Sequence, residues 1–359
     1  MKKIILIAGD RSGDLYGGML CKQLSKIYPE VKLYSCGGDN LAKNSQQLID
    51  LLSHSVSGLV EVLSSLAKIK EIFDKTYAEI DKLKPDLIIP IDFPDFNFRL
   101  IKKLDKRYPV FYYISPQVWA WRKKRINFIR DYVDKIIVIF KFEQDFYREE
   151  GIDASYFGHP LLEVVPDLDI KAKNIISFLP GSRRNEVKKH LPIMLKTKSI
   201  LKAKLPDYSF RIIRPKNLDQ SIYEKLPTDI EIIPHSYQAL KESNFIIASS
   251  GTATVEIAIL GVPYLIMYKL NTFSWTILKL LVKTEFIGMV NILQGKAVVK
   301  ELVQNQANPQ NMARITLDYL NNPESYQNLK KELESVKDIL NPYGASRKFA
   351  EFIGKFLNL

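Results

Sequence analysis

The sequence has few of the residues that metal and thiol chemistry use. Its 359 residues include two cysteines, Cys21 and Cys36, and four histidines, His54, His159, His190 and His235. Two early cysteines form neither a disulfide framework nor a metal-site spacing, which points to a reduced, cytoplasmic setting. The histidines are scattered without ligand spacing, and no G-x-S-x-G elbow is present, so metal-dependent and triad chemistry are set aside. Long apolar runs are also missing. None reaches the roughly 18–20 residues that span a bilayer, and the greasiest region, 245–268, is interrupted by Glu256. The opening "MKKIILIA" is too brief for a signal peptide and runs straight into "GDRSGD" instead of a small-residue cleavage site, so it reads as a first strand. Acids are the minority charge, 40 against 52 Lys and Arg, for a net +12. Such an excess attracts nucleic acid, an anionic membrane or a phosphorylated substrate, and a solvated lysine-rich surface is the plain alternative.

What is present is ordinary globular composition, 46% hydrophobic and 26% charged, in a chain long enough for two domains. Short apolar runs at 3–8, 31–36, 86–91, 110–115 and 135–140 alternate with helical patterns such as 15–27 and 61–83, which predicts a parallel sheet covered on both faces. Residues 158–174 have mixed charge, two prolines and no period, and read as a domain crossing. A second alternation follows, with strands expected at 174–180, 209–215, 230–235, 244–250 and 263–269. Residues 344–357 form an amphipathic helix able to pack back on either domain. The fold class is therefore α/β, with two Rossmann-like domains. We place the N-terminal one at 1–166, the C-terminal one at 167–343, and the last helix, 344–359, on the first. Ligands of open parallel sheets bind beyond the carboxyl ends of the strands, and two such domains facing each other frame a cleft.

The polar segments after strands are the places where chemistry is expected. "AGDRSGDLYGG" (8–18) follows the first strand with the wrong spacing for a dinucleotide or P-loop motif, and opens a helix N-terminus toward a phosphate or sugar. "IPIDFPDFN" (89–97) places Asp92 and Asp95 around Pro94. Asp92, directly after the strand, reads as a loop organiser. Asp95 reads as the carboxylate that abstracts a proton, with Phe93 and Phe96 limiting water around it. "FLPGSRRNEV" (178–187) offers Arg183 or Arg184 to a diphosphate at a helix start. "ASSGTATVE" (248–256) offers hydroxyls, amides and Glu256, an acid in an apolar first turn suited to a pair of ribose hydroxyls. "FIGMVNIL" (286–293) buries Asn291, and "VVKELVQ" (298–304) sets Glu301 and Gln304 on one helical face. "YYISPQVWAWRKKR" (112–125) is an aromatic and basic cluster that either binds RNA or faces the cleft. Residues 57–73 form an amphipathic helix whose leucines and isoleucines face the core or a membrane interface.

Ten motifs in order, "AGDRSGD", "GLVEVL", "KPDLIIPIDFPDFN", "YYISPQVWAWR", "FGHPL", "LPGSRRNEV", "SSGTATVE", "LLVKTEF", "NIL" and "VKELVQ", give the chain a resemblance to the lipid-A-disaccharide synthases over nearly its whole length. Asp10 stands where that family usually has glutamate, "KFE" at 141–143 lacks a preceding Leu-Pro, and "GMVN" replaces Leu-Pro-Asn. The resemblance implies a GT-B glycosyltransferase, inverting and metal-independent, needing no cofactor, with the acceptor on the N-terminal domain and the sugar nucleotide mainly on the C-terminal one. It would join UDP-2,3-diacylglucosamine to 2,3-diacylglucosamine 1-phosphate as a β-1,6 disaccharide and release UDP. It also implies a peripheral place on the cytoplasmic face of the inner membrane, as monomer or homodimer, with no nucleic acid as partner. Asp95 and Arg183 then match the catalytic pair. Substrate contacts fall to Gly9, Ser12, Gly13, Asp14, Asp92, Asn97, Ser115 and Trp119, and to Gly181, Ser182, Ser250, Gly251, Thr252, Glu256, Asn291, Glu301 and Gln304. Acyl-chain or membrane contact falls to Leu59, Val62, Leu63, Leu66, Ile69 and Lys70. Two other classes remain open on the residues alone: a nucleic-acid or membrane binder, and another sugar-nucleotide enzyme such as an epimerase.

Overall fold

A computed structural model describes residues 1–53, 62–120, 125–215, 218, 220–224, 226–270 and 284–359, with the backbone alone for 62–66 and 220. The chain divides into two compact units, Met1–Glu163 with Leu340–Leu359, and Val164–Ile339. The limits drawn from sequence, 166 and 343, lie a few residues further along the chain at both crossings.

The first unit is built on seven strands: β1 (Lys3–Ala8), β2 (Lys32–Gly37), β3 (Gln46–Asp50), β4 (Leu87–Ile91), β5 (Phe111–Tyr113), β6 (Lys135–Val138) and β7 (Ala154–Tyr156). They run parallel in the order β3-β2-β1-β4-β5-β6-β7. The continuous apolar runs are explained by burial on both faces: Ile4 to Ala8 and Leu87 to Ile89 have essentially no exposure. The C-terminal helix Ala345–Leu357 completes this unit. Phe349 packs on Tyr113 and Phe157, and Ser346 N donates to Glu163 at 2.8 Å.

The second unit has six parallel strands: β8 (Lys173–Leu179), β9 (Ser209–Arg214), β10 (Glu231–Pro234), β11 (Ser243–Ser249), β12 (Tyr264–Tyr268) and β13 (Glu301–Val303), ordered β10-β9-β8-β11-β12-β13. Residues 301–303 are therefore strand, and the helical pairing expected for Glu301 and Gln304 does not form.

Each sheet reverses its strand order once, between β1 and β4 and between β8 and β11. In register, Ala8 lies beside Ile91 and Leu179 beside Ala248. The loops leaving those strands, 9–13 with 92–95 and 180–183 with 250–252, therefore start side by side at the two switch points, where open α/β sheets bind ligands.

Candidate active site: the loops at the two switch points

In the first unit, β4 delivers Asp92 and Phe93 in the left-handed region, at φ 43° and 50°. That conformation costs a non-glycine residue about 1–3 kcal/mol and persists only where its surroundings impose it. The surroundings here are specific. The Asp92 carbonyl accepts from Tyr112 OH at 2.6 Å and from Asn97 Nδ2 at 2.8 Å, and Asp92 N donates to Tyr113 O at 3.0 Å. Pro94 then starts the helix Pro94–Leu104. The Phe93 ring lies so close to Gly9 that a side chain there would collide with it, which is why a glycine ends β1. The outcome is a carboxyl group pressed toward the protein. Burial, with the charge of Asp10 adding and the Phe93 amide opposing, pushes Asp92 up to about 7.

Asp95 has the opposite setting. Its side chain is 74% exposed and ion-paired with Arg125, and Phe96 turns into the core instead of sheltering it. The environments expected of the two acids are thus reversed.

The neighbouring residues are held by hydrogen bonds within this unit. Asp10 caps its helix by accepting from Gly13 N at 2.8 Å, beside half-buried Ser12. Asp14, expected to touch substrate, is 1% exposed and accepts from Gly38 N, Asn40 N and Asn40 Nδ2 at 2.7, 3.0 and 2.9 Å, so it holds a neighbouring loop. Asn97 is likewise enclosed beneath Asp92. Ser115 is buried with its hydroxyl on Tyr147, and Trp119 Nε1 donates to Glu143 Oε1 at 2.9 Å. Trp121 and 122–124 of the basic cluster lie outside the described residues.

In the second unit, β8 ends at Pro180 and Gly181, whose φ of 124° suits glycine; a Cβ there would come within 2.6 Å of Glu186 Oε2. Glu186, in the first turn of the helix Arg184–Lys204, accepts from Ser182 N at 3.2 Å and pairs with Arg183 at 3.1 Å. The Arg183 side chain is otherwise 78% exposed. Buried His190 ties this loop to the next strand: Nδ1 lies 2.8 Å from Pro180 O, and Nε2 accepts from Lys269 N at 3.1 Å. Desolvation holds His190 below its usual range, which keeps it neutral for that second role.

After β11, Ser250 Oγ donates to Ile287 O at 3.2 Å, while Gly251 and Thr252 lie exposed at the start of the helix Thr252–Ile259. Glu256, 13% exposed, meets His235 Nε2 at 3.1 Å and Tyr237 OH at 3.5 Å. Buried Asn291 and half-buried Glu301 and Gln304 all bond backbone groups. Glu301 accepts from Ile287 N, Gly288 N and Asn291 Nδ2 at 2.8, 2.9 and 2.7 Å; Asn291 also bonds both backbone groups of Val299; Gln304 accepts from Leu270 N at 3.0 Å. They shape the loops around the switch point.

Sequence reasoning passed over His190, His235, Tyr237, Glu143 and Glu186. The available signal was a polar residue just past an apolar strand, as in "IEIIPH". Searching the histidines for metal spacing hid it. Among the described residues no three His, Cys, Asp or Glu side chains are grouped to hold a metal ion.

Two Rossmann-like α/β units, each with its conspicuous loops at the switch point, define the GT-B class of architecture. Solved structures agree in fold. A Staphylococcus aureus MnaA–UDP complex matches with TM-score 0.70 at 16% identity, covering 100% of this chain and 98% of its own. Acinetobacter baumannii MurG matches with TM-score 0.56 at 16% identity, covering 99% and 100%. Within that class the chain belongs to the lipid-A-disaccharide synthetase family, whose model matches residues 4–351. Relatives named lipid-A-disaccharide synthase include one from Syntrophus aciditrophicus, 37% identical over 97% of this chain and 96% of its own length. Another, from Persephonella marina, is 36% identical over 98% of each. Family membership makes the chain a glycosyltransferase of lipid A synthesis.

Proposed function

We propose that the chain transfers 2,3-diacylglucosamine from its UDP donor to the 6-hydroxyl of 2,3-diacylglucosamine 1-phosphate, with Asp92 as the general base. The family supports the reaction; the observation that carries the base assignment is the half-buried Asp92 carboxyl, held near neutrality on a strained shoulder at the switch point. Asp92 takes the acceptor's hydroxyl proton as that oxygen attacks the anomeric carbon. The bond from that carbon to the diphosphate breaks, and UDP leaves with its electron pair. One such displacement inverts the centre, so a single carboxylate suffices.

The second unit takes the donor. Arg183, the amides of 181–183 and those opening the helix Thr252–Ile259 neutralise the departing diphosphate, so the scheme draws on no metal or cofactor. Glu256, oriented by His235 and Tyr237, accepts from the ribose hydroxyls. Glu256→Gln should raise the donor KM roughly tenfold with little change in acceptor KM, the scale of a hydrogen bond to a charged group. An unchanged donor KM in steady-state kinetics would remove it from that role.

Product analysis with synthetic donor and acceptor, chelator included, tests the whole reading: disaccharide and UDP form only when both sugars are present. UDP release from donor alone would overturn it. The pH profile tests the base. Asp92 works ionised, so kcat/KM should climb about tenfold per unit toward a plateau just above 7. A profile flat from pH 5.5 to 8 would exclude an acid so placed.

The chain works as a peripheral protein on the cytoplasmic face of the inner membrane, as monomer or homodimer. The net +12 supports this, as does Ile69, which is 42% exposed between exposed Lys68 and Lys70. No helix among the described residues is long and apolar enough to cross a membrane. Leu59 lies outside the described residues, as do the side chains of Val62, Leu63 and Leu66. Replacing Lys68, Ile69 and Lys70 with Glu, Ser and Glu should release the protein from anionic vesicles in flotation, and retention would count against this face.

A further inference from the structure

The loop leaving β5 is gripped by a helix that belongs to neither switch-point strand. Helix Lys141–Glu149 presents Glu143 and Tyr147, one turn apart and so on the same face. Tyr147 OH meets the Ser115 hydroxyl and lies 3.5 Å from Pro116 O. Glu143 Oε1 accepts from Trp119 Nε1 at 2.9 Å, and its other oxygen accepts from Phe140 N at 3.3 Å. Trp119 also packs edge-on against Phe142. This loop departs beside the base, since Tyr113 O accepts from Asp92 N at 3.0 Å.

A carboxylate that is 1% exposed is costly unless its bonds give something back. Packing alone does not require an acid here, because an amide or apolar side chain of the same size would fill the space at lower cost. What the acid provides is a charge-assisted grip on one indole edge.

We infer that Glu143 is a positioning residue: its carboxylate fixes Trp119, and through Trp119 the face that the loop 115–120 turns to the acceptor. This rests on the reading that the first unit holds the acceptor.

The inference carries a pH signature. The groups around Glu143 are Tyr147 on its own helix, Tyr156 on β7, Trp119, and Asp92 after β4. Burial holds both tyrosines above their usual range, so they stay neutral. Burial also pushes Glu143 up to about 7, with the Trp119 and backbone hydrogen bonds opposing and Asp92 adding. Near neutrality only the two acids titrate, and only Glu143 touches the indole.

The test uses the full chain with Trp121→Phe and Trp275→Phe, which leaves Trp119 as the one remaining tryptophan of three. Its emission should titrate near pH 7 in the free protein, keep doing so in Asp92→Asn, and stop in Glu143→Gln. In the otherwise native chain, Glu143→Gln and Trp119→Phe should each raise the acceptor KM about fivefold with the donor KM unchanged. The double variant should be no worse than the worse single, because both remove one interaction. If Glu143→Gln does not fold, the native chain and Trp119→Phe decide: the acceptor KM of the first rises below pH 7, and that of the second stays level. A titration persisting in Glu143→Gln, additive single effects, or an unchanged pH response in Trp119→Phe overturns the inference. If Asp92→Asn keeps its turnover, the base assignment fails, and the fluorescence arm still judges Glu143.

Discussion

Asp92→Asn should lower kcat by about 10²–10⁴, the range of a lost general base, while Asp95→Ala should stay within roughly threefold of the native rate, as expected for an exposed ion pair. The contrast follows from burial. Asp92 is pushed up to about 7 and is held at φ 43° by two hydrogen bonds to its own carbonyl. Asp95 points outward to Arg125. Asparagine keeps the shape of Asp92 and tolerates the left-handed region, so thermal stability should barely change. Single-turnover rates on both variants, with melting temperatures alongside, check the order. A dead Asp95→Ala beside an active Asp92→Asn would restore the roles read from the sequence.

Arg183→Ala should lower kcat by about 10²–10³, the scale seen when a preorganised donor to developing charge is removed. Arg183→Lys should recover only part of this, because an ammonium cannot form the two parallel bonds of a guanidinium. The exposed side chain makes no core contact, so the folded state should be indifferent to either change. If UDP affinity by calorimetry and turnover both survived Arg183→Ala, the positive field on the diphosphate would have to come from the helix amides alone.

Much of this was legible in the residues. The two Rossmann-like domains were readable because the apolar runs are continuous and alternate with helical patterns, whereas the family and its glycosyltransferase activity were legible only through the resemblance carried by ten motifs in order. Three strands were not readable: β3, β7 and β13 have 5, 3 and 3 residues and mix polar with apolar side chains, whereas the equally short β5 sits in a continuous apolar run. Glu301 and Gln304 suited a helix by spacing, yet pairing with β12 makes Glu301 strand, and Gln304 follows that strand in the left-handed region at φ 54°. The surroundings of the acid pair were hidden for a related reason. Proline marks where a helix starts, but which neighbouring carboxylate turns inward depends on Tyr112 and Asn97 pulling on the Asp92 carbonyl, and Tyr112 arrives from another strand.

Glu186 gives the second switch point a distinctive character. It occupies the loop amide and guanidinium that we propose the diphosphate uses, so on that reading the donor does not fall onto bare positive charge. It trades places with a resident anion. Recognition there is an exchange, in which the gain is the difference between one carboxylate and two phosphates. Stray single anions, which resemble what is already present, have little to offer in its place.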